Sequence, residues 1–146
     1  MSRHHASHRC HRVPRAGLDP IESAFDALSL VSLVMRHPLE FETIAFLLDD
    51  QRCGTTITVV SDTDDPDTAI GITEALSTAA LAVPYLNSLV IASIRPDSAT
   101  IPGDIDRWLE ASAMAESFGI ELIEWFVIGP SGPECPRDLL GEPERW

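Results

Sequence analysis

ASIRPDSATIPGDIDRWLEASAMAESFGIELIEWFVIG, residues 92–129, runs from an apolar strand end through a loop and an amphipathic helix to a second apolar strand. It opens on the end of an apolar run, residues 88–94 (SLVIASI), continuous enough to lie in the middle of a sheet. A loop of about eight residues with Pro96 and Pro102 follows. The spacing then predicts a helix over residues 103–118 that buries Ile105, Trp108, Ala111, Ala115 and Phe118, with Gly119 as its C-cap. Residues 120–128 (IELIEWFVI) read as the last strand.

Working outward, Asp19-Pro20-Ile21-Glu22 has the form of a helix start: an acid at the N-cap, proline in the first turn, Glu three residues after the cap. Ile21, Ala24, Phe25, Leu28, Val31 and Met35 continue it over residues 20–36, ending before Pro38. Residues 43–48 (TIAFLL) and 55–60 (TTITVV) form a hairpin across the turn-like DDQRCG. A second helix is expected from Asp65 as cap and Pro66 as first residue to about residue 82, along Ile70, Thr73, Leu76 and Ala80. The elements run α-β-β-α-β-α-β, which makes the chain an α/β (α+β) domain, a mixed β-sheet with helices on its faces. Residues 1–18, rich in His, Arg and Ser, read as a disordered arm, residues 19–129 as one domain. Residues 130–146 hold four of the eleven prolines and read as an extended tail able to dock Leu139, Leu140 and Trp146.

Residues 92–129 also carry a motif. They resemble the RadC-like branch of the JAB/MPN (JAMM) metalloprotease superfamily, whose signature runs HNHPSGxxxPSxxD, then a helix, then a strand ending LLDHxIxG. Without a gap, the first His falls on Ser93, the second on Arg95, the prolines on Pro96 and Pro102, the Ser on Gly103 and the Asp on Asp106. The Asp-His pair of the strand falls on Glu124-Trp125 and the closing Gly on Gly129. With flanking elements the resemblance covers roughly residues 40–129 and implies a JAB/MPN-like fold with cytidine-deaminase-like layering. In that family two His and one Asp hold zinc, and an upstream Glu, here at or near Glu42, is the general base for cutting a peptide or isopeptide bond.

That chemistry needs nitrogen ligands and an open coordination position, so that bound water ionises near neutral pH. Ser93 is a weak neutral ligand, Arg95 is a permanent cation at the second ligand position, and beyond His37 the chain has no histidine. Glu42, Ser93, Arg95 and Asp106 are therefore read as vestigial positions with no catalytic role. Asp106 is the one weak metal candidate; zinc, the family's cofactor, is not expected, nor is any other. Arg95 either forms a buried bidentate pair with Asp106 or is a solvated loop charge beside a helix-start acid. Glu42 is otherwise an exposed acid before an edge strand.

Charge narrows the partners. The 146 residues carry a formal charge of −13, with five Arg and three acids in residues 1–36 and five Arg and twenty acids in residues 37–146. Nucleic acid and anionic membranes are unfavoured by such a surface. All ten basic residues are Arg, which excludes a Schiff-base or phosphate-loop lysine. Cys10, Cys53 and Cys135, odd in number and far apart, point to a reducing cytoplasm, and no apolar run has the length of a span. His4, His5, His8, Cys10 and His11 could hold an adventitious metal but match no zinc-finger spacing. Asp49, Asp50, Asp62, Asp64, Asp65 and Asp67 raise an alternative, a ribonuclease H-like nuclease holding two magnesium ions. Cys53, in the hairpin turn, has no base in sequence reach. The expectation is a non-catalytic JAB/MPN-like binding or regulatory module, a pseudoenzyme paired with a protein partner or with itself. A hydrolase with a carboxylate-held metal, a divergent JAMM peptidase or the nuclease, is the alternative.

Overall fold

A computed structural model of the chain describes residues 13–146. Five strands form one mixed sheet in the order β2-β1-β3-β4-β5: β1 (Glu42–Asp49), β2 (Gly54–Ser61), β3 (Leu86–Ile94), β4 (Glu121–Gly129) and β5 (Gly132–Glu134). β1 is antiparallel to β2 and β3, β3 is parallel to β4, and β4 turns back antiparallel into β5. The described helices are α1 (Ala24–Val34), α2 (Thr68–Ala80), α3 (Asp104–Ser117) and α4 (Pro136–Leu140). The expected α-β-β-α-β-α-β order is present, with β5 and α4 added after it. No helix among the described residues is long and apolar enough to cross a membrane.

Alternation along β1 and β3 sorts the core into two layers. Ala45, Leu47, Leu89 and Ile91 face α2 and α3, where Trp108, Ala111 and Ala115 cover them. Ile44, Phe46, Leu48, Val90, Ala92 and Ile94 face α1, covered by Ala27 and Val31. β4 joins both layers through a register shift in which Leu89 pairs with Leu122 and Val90 with Glu124. Ile123 is thus an extra residue, a β-bulge, and it lies on the α1 side with Phe126 while Leu122 and Trp125 lie on the other.

Several boundaries differ from the sequence-based expectation for identifiable reasons. α1 starts after Ser23, whose hydroxyl accepts the Asp26 N–H at 3.1 Å. Residues 17–21 are drawn onto the hairpin instead: Gly17 N–H donates to Gly54 C=O at 3.0 Å, Ile21 N–H to Arg52 C=O at 2.8 Å, and Pro20 bridges Cys53. Pro14 is buried as well, so the stretch expected as a free arm is docked from about that residue. Phe25, expected in the core, is 63% exposed. α2 begins at Thr68, after Asp65 Oδ1 has accepted the Asp67 N–H in the turn through Pro66. The segment 130–146 is not extended. It supplies β5 and α4, leaves Leu139 and Leu140 exposed, and docks through Arg137, Arg145 and a partly buried Trp146.

Candidate functional site

Ser93 and Arg95 end β3 on the α2/α3 face, where Ser93 pairs across the sheet with Thr43. Arg95 is not a solvated loop charge, and its partner is not Asp106. One guanidinium nitrogen reaches Asp104 Oδ2 at 2.7 Å and the other reaches Oδ1 at 3.1 Å, with side chains only 6% and 2% exposed. Arg95 also donates to the Ala99 carbonyl at 3.1 Å and lies 5.9 Å from the centroid of the Trp125 ring. The Trp125 indole N–H donates to Ser93 Oγ at 2.9 Å. Where the resemblance implies ligand, ligand and carboxylate, the chain has a hydroxyl serving an indole and a guanidinium serving a carboxylate.

Helix phase explains the exchange of Asp104 for Asp106. The buried stripe of α3 is Asp104, Trp108, Ala111, Ser112 and Ala115, a repeat of three and four that includes an acid in its first turn. Ile105 and Asp106 fall outside that stripe and are exposed, so Asp106 is withdrawn as a metal candidate and Ile105 as a core residue. Asp104 Oδ2 also accepts the Ile101 N–H at 2.8 Å, and its Oδ1 accepts Arg107 at 3.0 Å. Burial favours the neutral acid, but bonds from Arg95, the Ile101 N–H and Arg107 outweigh it and hold the carboxyl below its usual range. Arg107 extends the network to Asp67 at 2.8 Å, tying the start of α2 to the start of α3. Removing one partner of such a buried pair costs about 3–5 kcal/mol.

Glu42 is buried, and its side chain lies on the opposite face of the sheet from that of Ser93. β1 is an inner strand, Glu42 pairs with Ile94 on the α1 face, and its Oε2 accepts the Arg36 N–H at 2.8 Å. The sheet separates it from Ser93 and Arg95, which meet the same Trp125 ring on the other face. The acidic run is likewise divided. Asp49 Oδ1 accepts the Gln51 and Cys53 N–H groups in the hairpin turn, whereas Asp62 and Asp64 lie beyond the other end of β2, on the order of 25 Å away for eight strand residues. Among the described residues no three His, Cys, Asp or Glu side chains are grouped as a metal site. His4, His5, His8, Cys10 and His11 lie outside those residues.

No protein-family model matches the chain, and no curated protein matches it. The geometry of its own residues therefore carries the functional argument.

A second buried pair escaped sequence reasoning altogether. Glu124, on the α1 side of the bulge, accepts Arg137 Nε at 2.8 Å with both side chains buried. Arg137 also donates to the Glu142 carbonyl, and Glu142 Oε1 accepts the Trp108 indole N–H at 2.8 Å. Burial raises the Glu124 carboxyl against the opposing bond and charge of Arg137. Beside it, burial and then the Glu124 charge push the Cys135 thiol up to about 12, which removes its nucleophilic form at neutral pH. The signal for Asp104 was present in the helix period, four residues before Trp108. Arg137 left no comparable trace, because a proline-rich segment carries no periodicity.

Proposed function

We propose that the chain is a non-catalytic JAB/MPN-like binding module that works in the cytoplasm through contacts with protein, either another chain or its own copy. The observation that carries this reading is the sealed Arg95 and Asp104 pair. A guanidinium holds a fixed positive charge at the second ligand position, its hydrogen bonds are taken up by Asp104 and the Ala99 carbonyl, and solvent scarcely reaches it. Such a pair has neither an open coordination position nor a group poised to exchange protons. The mixed sheet between helices, in the expected element order, supports the fold half of the reading. Free Cys53 and Cys135, both at least partly buried, support the reducing compartment.

Metal analysis tests it. Protein lacking residues 1–12, which carry four of the five histidines, should retain less than stoichiometric zinc, manganese or magnesium after gel filtration. One tightly bound metal per chain would overturn the reading. The double substitution Ser93→His with Arg95→His frees Asp104 and places two imidazoles on one face of β3, and is expected to acquire zinc.

A further inference from the structure

The two edges of the sheet are finished differently. β5 is three residues long, contains Pro133 and runs directly into α4. Short length, proline and a covering helix all prevent edge-to-edge pairing. β2, on the other edge, is an eight-residue strand, GTTITVVS, with no charge and no proline. Among the described residues, Gly17 and Ile21 hydrogen-bond at its start, to Gly54 and to the turn residue before Cys53. Over residues 55–61, β1 is the one strand paired with β2 among the described residues, and Ile57, Val59 and Val60 are 42%, 43% and 36% exposed.

We propose that this edge pairs antiparallel with the same edge of a second copy, about a two-fold axis at Thr58, merging two five-stranded sheets into one. The proposal deepens the protein-contact reading, on which it rests, by naming surface and partner. A two-fold places residue i opposite residue j and j opposite i, with only the residue on the axis facing itself, so an uncharged strip meets its copy with no charge buried unpaired. In a chain whose residues 37–146 hold twenty acids against five Arg, β2 is an eight-residue strip that satisfies this. An axis at Thr58 sets Ile57 opposite Val59 and Thr56 opposite Val60, β-branched pairs, and Thr55 opposite Ser61, a hydroxyl pair, both of the kind that stabilise neighbouring strands. Arg15 and Arg52 already pair with Asp19 and Glu121, and Asp49 and Asp50 lie in the same turn. The contact therefore rests on the uncharged strip and not on charge pairs at its ends.

Sedimentation of the full chain tests this. At about 100 µM, a concentration at which micromolar association saturates, the mass should approach twice the 16.0 kDa of one chain. Thr58→Lys, which opposes two ammonium groups at the axis, and Val59→Lys should each weaken association at least about 100-fold. Val59 is 43% exposed and Thr58 is partly buried, and circular dichroism with thermal unfolding shows whether each variant keeps the fold. In a Cys10→Ser background, Thr58→Cys should form an intermolecular disulfide on mild oxidation, since facing residues of antiparallel strands lie about 4.5–5.5 Å apart. A monomer throughout the concentration range would overturn the proposal. So would a dimer that both Lys substitutions leave intact, which would place the contact between copies on another surface. Neither result touches the metal assay that decides the parent reading.

Discussion

Asp104 illustrates how much one residue can conceal. At the letter level Asp106 and Asp104 are equivalent acids in the first turn of α3, and the gapless motif register favours Asp106. The helix period favours Asp104, four residues before buried Trp108, and the structure places Asp104 against Arg95. The paired alternative for Arg95 was thus legible while its partner was not, because motif spacing and helix phase compete over two residues. A pH consequence follows from the depressed carboxyl of Asp104. A group with a lower pKa in the folded state adds stability that is complete above its unfolded value, about 3.9, and is lost as pH falls through the folded value. Urea unfolding between about pH 2 and pH 5 should therefore show a loss of stability toward acid that is smaller in Asp104→Asn. Parallel pH profiles for the two proteins would rule out Asp104 as the source.

Among the elements, strands were more legible than helix starts. Residues 43–48, 55–60 and 88–94 lie within β1, β2 and β3, because continuous β-branched and apolar runs have few alternatives in a sheet. The first helix was misjudged because Asp19 and Pro20 satisfy two demands. They fit a helix start, yet the turn of the hairpin offers Ile21 a buried site, and tertiary burial prevails over local capping. Gly129 closes β4 for a reason that its sequence context does not disclose: a Cβ there would overlap the Ser98 carbonyl of the loop leaving β3. Gly129→Ala should displace residues 96–99, loosen the Arg95 bond to Ala99 and cost about 1–3 kcal/mol, as overpacking does. Thermal unfolding together with amide shifts in that loop would check it, and an unperturbed loop would contradict it.

Over the whole molecule, the segment expected as an appendage belongs to the fold. Arg137 neutralises Glu124, Glu142 holds the Trp108 indole, and Arg145 donates to the Leu122 carbonyl while lying 4.7 Å from the centroid of the Trp108 ring. Removing residues 136–146 strands a buried carboxylate and should destabilise the domain by about 3–5 kcal/mol or more. An unchanged melting temperature after that truncation would show the docking to be incidental. The two apolar layers give the bulge in β4 a further meaning. Any other single-residue insertion or deletion in that strand exchanges one apolar layer for the other for all residues beyond it, because side chains alternate. Ile123 is the surplus residue of the bulge, so its loss alone would return Leu122 and Glu124 to strict alternation with each still in its own layer. β4 can therefore change length at one position without changing polarity, and a shorter relative of this chain would be expected to carry its gap there.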